Sequence, residues 1–187
     1  MGYRKTLLLL KYQAMNRLFL LTIMAFFSLA TSAQEWKLFS DTSIAFTAQY
    51  PSTWTNKIKE NKRVFFTSPA ENDKDSFFEN VNISMTRNAA YGTELKINDV
   101  IPAVLKELTN TIDNFTKTTE RYFKWNNNDA CELIYTGQPK NSDLKVKITQ
   151  RFCFSEGRLF TATYTSLVSN TVSIQTALKI LNSIIFK

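Results

Sequence analysis

Residues 131–165 read CELIYTGQPKNSDLKVKITQRFCFSEGRLFTATYT, and this stretch decides the fold. Three apolar-rich runs, Cys131–Thr136, Leu144–Phe154 and Leu159–Thr165, are separated by Pro139-Lys-Asn-Ser-Asp143 and Glu156-Gly157. The separators carry turn chemistry: proline presets φ, Asn and Asp side chains bond nearby amides, and glycine accepts positive φ. Alternation in the middle run puts Leu144, Val146 and Ile148 on one side with Phe152 and Phe154. Lys145, Lys147, Thr149 and Arg151 take the other side, the period-2 signature of a strand. Three such runs joined by short turns predict an antiparallel meander.

Outward from the meander, Glu120–Trp125 precedes it across the turn Asn126-Asn-Asn-Asp129. Further upstream, Trp36–Phe39, Ile44–Phe46, Arg63–Thr67 and Asn80–Thr86 read as strands, the last alternating Val81, Ile83 and Met85 with polar residues. Two helical stripes interrupt them. Asn98 or Asp99 can cap a segment bearing Ile101, Val104, Leu105, Leu108 and Ile112, with Pro102 tolerated in its first turn. Ile174, Ala177, Leu178, Leu181, Ile184 and Ile185 repeat the stripe near the end. One apolar face per helix predicts helices laid on a sheet. The expected class is α+β with a mostly antiparallel sheet.

Residues 1–33 have a different character. Arg4, Lys5, Lys11 and Arg17 are unopposed by any acid before Glu35, and Leu18–Ala30 is almost wholly apolar. Thirteen helical residues span about 20 Å, short of the roughly 30 Å hydrocarbon core. Thr31-Ser-Ala33 then places small residues before a cut between Ala33 and Gln34. The expectation is a signal peptide over 1–33, with Met15 as an alternative start, followed by a single domain over 34–187. The mature chain would be soluble, periplasmic or secreted, without a transmembrane segment. Of the 23 basic and 16 acidic residues, the leader holds four and none, so +7 falls to +3. That removes the charge argument for nucleic acid.

The chain contains no histidine, which excludes Ser-His-Asp and Cys-His catalysis, His-ligated metals and an imidazole pH switch. Four glycines are too few for repeated Gly-rich phosphate loops. Ser142-Asp-Leu-Lys145 matches S-x-x-K, but on a strand rather than the helix that motif needs. Cys131 and Cys153 would face each other if Gln138 paired with Val146, yet their flanking side chains put them on opposite faces. A disulfide therefore stays open at this stage. Glu71-Asn-Asp-Lys-Asp75 with Glu79 could gather oxygens for Ca²⁺ but lacks the spacing of an EF-hand loop. Lys57, Lys59, Lys62 and Arg63, and separately Lys145, Lys147 and Arg151, form basic faces, either solvated or docking an acidic partner. Trp36, Trp54 and Trp125 are either core or a stacking platform for a ligand.

Phe46-Thr-Ala-Gln-Tyr-Pro51-Ser-Thr-Trp54, Val64-Phe-Phe-Thr-Ser68-Pro69 and Asp75-Ser-Phe-Phe-Glu79-Asn80-Val81-Asn-Ile83 resemble structural motifs of the PsbP-like family. That fold is shared with Mog-type Ran-binding and DcrB-type periplasmic domains. The resemblance spans roughly residues 36–187 and implies an antiparallel sheet flanked by helices as an α/β/α sandwich. It implies no cofactor, since histidines that contact metal in some plant members have no counterpart here. The turn before Ala130 departs from the pattern, with asparagines where the family tends to carry glycine. Family members include accessory subunits, assembly factors and binding modules. The expectation is thus an exported, non-enzymatic factor that binds another envelope protein. A carrier of a small apolar ligand between sheet and helix is the alternative, and a hydrolase using carboxylates or Ser-Lys the remotest.

Overall fold

The structure, a computed structural model, describes residues 34–87 and 95–187. The leader reading of 1–33, with Met15 and the Ala33 side of the cut, lies outside the described residues. Glu35–Lys187 forms one structural unit.

Among the described residues, ten strands and two helices follow in the order β1 (Trp36–Ser40), β2 (Phe46–Pro51), β3 (Thr55–Lys59), β4 (Arg63–Thr67), β5 (Asn80–Arg87), α1 (Ile97–Thr111), β6 (Ile112–Trp125), β7 (Asn128–Pro139), β8 (Val146–Ser155), β9 (Arg158–Leu167), α2 (Ile174–Asn182) and β10 (Ile185–Phe186). Seven strands form one antiparallel sheet in the order β3-β4-β5-β9-β8-β7-β6. A smaller sheet has the order β1-β2-β10. The expected meander is present as β7-β8-β9, with β7 and β9 longer than their apolar runs and β8 starting at Val146 rather than Leu144.

The two helices cover opposite faces of the large sheet, as strand parity requires. α1 packs on β6, β7 and β8, closing a core of Ile97, Ile101, Leu133, Tyr135, Val146, Ile148 and Phe152. α2 packs on β2, β5 and β9, over Val81, Ile83, Phe160, Ala162 and Tyr164. The middle strand β8 is therefore covered on both sides. Thr149, Arg151 and Cys153 are as buried as Val146, Ile148 and Phe152. This corrects the reading of Lys145, Lys147 and Arg151 as one basic face, since of the three only Lys145 is exposed, Lys147 being half-buried and Arg151 buried.

Polar edge strands account for most of the other differences. β3 is exposed at every residue, and the sequence reading missed it because an edge strand need bury no face. β6 starts at Ile112, not Glu120, and its polar first half owes its conformation to pairing with β7. Ile112 leaves the helical stripe with extended backbone, although its amide still caps Leu108. α1 begins at Ile97, where the Asp99 carboxylate accepts the Lys96 amide at 3.1 Å. α2 stops at Asn182 rather than running on through Ile185. Ser183 Oγ donates to Ile180 O at 2.7 Å and accepts the Gln49 amide at 2.8 Å, turning the chain into β10.

Gly137 pairs with Val146, one residue from the register that would oppose the cysteines. Cys131 faces Phe152 and Cys153 faces Ala130. Face parity is kept and the conditional register gives way. Asn126 and Asn127 have φ of 49° and 65°, so these asparagines occupy the left-handed positions that a tight hairpin demands of glycine.

Candidate functional site

The β3–β4 hairpin turns through a 3-10 segment, Glu60–Lys62, with Lys62 at φ 57°. Its register sets Lys59 directly opposite Arg63. Across the sheet, the Glu156-Gly157 turn starts β9 so that Arg158 faces Arg87 at the end of β5. These strand ends and the Thr42–Ala45 loop enclose an open groove of about 1050 Å³. Lys62, Arg63, Arg87, Arg158 and Lys187 line it, with Glu156 as the carboxylate among its lining residues. Arg63 also borders a second concavity of about 560 Å³, with Lys57, Lys59, Glu60 and Phe65.

Neutral oxygens hold several of these cations. Lys62 Nζ donates to Ser43 O at 3.1 Å, and Lys187 Nζ to Ser40 Oγ at 3.2 Å. Lys59 lies 4.4 Å over the Phe65 ring. Arg158, only 12% exposed, donates through Nη2 to Glu156 and to the main-chain oxygen of Lys187, the latter at 2.6 Å. Its buried Nε has no hydrogen-bond partner among the described residues. Arg63 and Arg87 make no ion pair among the described residues. At the rim, next to the Thr42–Ala45 loop, Asp41 is held under the usual carboxylate range by the Ser43 hydroxyl and amide, helped by the charges of Lys187 and Lys62.

The motif positions lie elsewhere and bear on packing. Phe46 and Trp54 are buried in the α2-side core, and the Trp54 amide closes a turn onto Pro51 O at 3.0 Å. The Ser68 amide donates to Glu79 O at 2.9 Å, and Ser68 Oγ to the buried Glu79 carboxylate at 3.3 Å. Pro69 is exposed beyond β4, Asn80 begins β5, and Val81 is fully buried between Phe66 and Tyr164. Trp125 meets Phe186 edge-on at 4.9 Å. Neither Trp54 nor Trp125 lines the groove or the second concavity, so the carrier reading gains no support from them.

The remaining candidates for chemistry are engaged locally. Ser142 Oγ accepts the Leu144 amide at 3.2 Å in its turn. Asp75 accepts the Glu71 and Phe77 amides, and Asn72 that of Lys74, so these side chains shape their own loop. Both thiols are free and buried, and burial pushes Cys131 up to about 11 and Cys153 up to about 12. A thiol so shifted is a poor nucleophile. Glu132 and Arg151 form an ion pair at 2.8 Å, each 6% exposed, extended by Arg121 and Asn182.

Lys57, Lys59, Lys62 and Arg63 were legible as a basic hairpin. Arg87, Arg158 and Lys187 carried no local signal. Extending the β5 alternation by one residue and registering β9 from Glu156-Gly157 would have brought Arg87 and Arg158 together.

No family model matches the chain, and no curated protein matches its sequence. Solved structures do. CyanoP, the cyanobacterial PsbP of Synechocystis, superposes with TM-score 0.57 at 12% identity, covering 84% of this chain and 96% of its own. The chain has the PsbP-like fold. The same fold relates it to PA94 of Pseudomonas aeruginosa, a protein of unknown function, with TM-score 0.58, 16% identity and coverage of 82% and 98%. LpqN, involved in cell envelope biogenesis of Mycobacterium tuberculosis, gives TM-score 0.52 at 10% identity, covering 82% and 84%. At these identities the likeness is one of fold, and function rests on the site.

Proposed function

We propose that the chain is an exported envelope protein, cleaved between Ala33 and Gln34, that acts as a non-catalytic accessory or assembly factor by binding another envelope protein. One observation carries this reading: the groove between the β3–β4 hairpin and β9 is open, lined by cations and suited to contact rather than to proton or group transfer. The leader pattern and the described role of LpqN in envelope biogenesis support the setting. No helix among the described residues is long and apolar enough to cross a membrane.

The test is crosslinking in intact cells followed by purification of the tagged full-length gene product from its envelope. A chain starting at Gln34, captured with a protein in fixed stoichiometry, is the expected result. A chain retaining residues 1–33 would overturn the leader. Native mass spectrometry finding a small apolar molecule and no protein would overturn the accessory role.

A further inference from the structure

Two like-charge pairs stand directly opposite one another across strands at this site, Lys59 with Arg63 and Arg87 with Arg158. Directly opposed like charges destabilise an antiparallel pair. Folding alone does not reward such an arrangement, and here it occurs twice, with three of the four side chains lining the same groove. The positive charge is also segregated. Of the 19 basic and 16 acidic residues after residue 33, seven bases line the two concavities, against three acids there or at their rim, Asp41, Glu60 and Glu156. Twelve bases and 13 acids remain elsewhere, so this surface carries more than the whole net charge.

Resting on the accessory-protein reading, we propose that the groove docks an extended, carboxylate-rich segment of the partner protein. Arg63 and Arg87, without ion pairs among the described residues, present planar forks matched to carboxylates. The groove runs past several strand ends, so it offers spaced cations to a chain rather than one enclosed cluster to a small anion. Among the described residues its lining holds no aromatic ring, which a single-stranded nucleic acid would use for stacking. Its concavity suits a peptide better than a flat lipid surface.

The test uses fluorescein-labelled decaglutamate as probe, with fluorescence anisotropy at 20 and 150 mM NaCl on the protein purified from its envelope. Saturable binding at low salt is expected, weakening at high salt because exposed charges are screened over about 8 Å at 0.15 M. The triple variant Lys62→Glu, Arg63→Glu, Arg87→Glu should lose at least about tenfold in affinity, whereas Lys145→Glu, Lys147→Glu should not. Arg87→Gln guards against misfolding as an explanation. It should weaken binding yet raise Tm by roughly 1–4 °C, because it relieves the pair with Arg158. No decaglutamate binding, equal binding by every variant, or displacement by stoichiometric inorganic phosphate each overturns the proposal. Capture by phosphatidylglycerol vesicles or oligothymidylate without decaglutamate binding does so too. If the triple variant still captures the envelope partner, the groove is wrong and the accessory role stands.

Discussion

Asn170 Nδ2 donates to the fully buried Glu79 carboxylate at 2.6 Å and to Glu71 at 2.7 Å, tying the β9–α2 loop to the start of β5. Ser68 Oγ supplies the other side-chain hydrogen bond to Glu79, at 3.3 Å. A buried carboxylate needs its donors, and Asn170 is the closer of the two. Asn170→Ala should therefore destabilise the fold by about 2–3 kcal/mol, and Ser68→Ala by about 1 kcal/mol or less. Urea unfolding of the two variants and their double variant checks this. Additive losses would show that the two donors do not share one carboxylate.

That contact also marks the limit of sequence reading. Glu79 was visible as a motif residue, and its fully buried strand neighbours Val81 and Ile83 by alternation. Asn170 was not, because a polar residue in a loop announces nothing until β5 and β9 pair. The same holds for the groove. Lys57, Lys59, Lys62 and Arg63 sit together in sequence, but Arg87 meets Arg158 only through long-range register. Strands buried on at least one face wrote their period into the chain. The polar edges β3 and the first half of β6 could not, since their conformation comes from a neighbour's hydrogen bonds.

Burial by itself would raise the Glu132 carboxyl. The hydrogen bonds and charges of Arg151 and Arg121 outweigh it and hold the group below its ordinary value of 4.5. A depressed folded value means the unfolded chain binds the proton more readily. The stabilisation is thus complete above about pH 4.5 and is lost as pH falls through the folded value. Glu132→Gln leaves Arg151 buried without its charge partner and should cost about 3–5 kcal/mol at pH 7. Urea midpoints between pH 3 and pH 6 should rise with pH in the parent and be flatter in the variant. Parallel curves would remove Glu132 from the acid response.

Cys131 belongs to the α1-side core and Cys153 to the α2-side core, on opposite faces of one sheet. Adjacent strands cannot bridge residues that point apart. With burial pushing the thiols up to about 11 and 12, roughly one in a thousand or fewer is ionised at pH 8. Iodoacetamide should leave both unmodified in the native protein over an hour and label both in 6 M guanidinium without reductant. A mass two units low in the unreduced, denatured protein would establish a disulfide instead.

Gly137 sits opposite the irregularity in β6, where the register jumps between Asp113 and Thr116 and Asn114 takes φ 53°. Two residues of β6 crowd one position of β7, the geometry of a bulge. A Cβ added at Gly137 would stand 2.3 Å from Ile112 Cγ2 and 3.0 Å from the Asp113 main-chain oxygen. The Ile112 side chain could rotate, but the backbone oxygen belongs to the bulge itself. Gly137→Ala should therefore cost about 1–3 kcal/mol. Ile112→Ala, which removes the Cγ2 methyl, should recover only part of that when combined with Gly137→Ala, relative to its own cost, because the contact with the Asp113 main-chain oxygen stays in place. Full recovery in a urea double-mutant cycle would mean that Ile112, and not the bulge, is what requires glycine at this position.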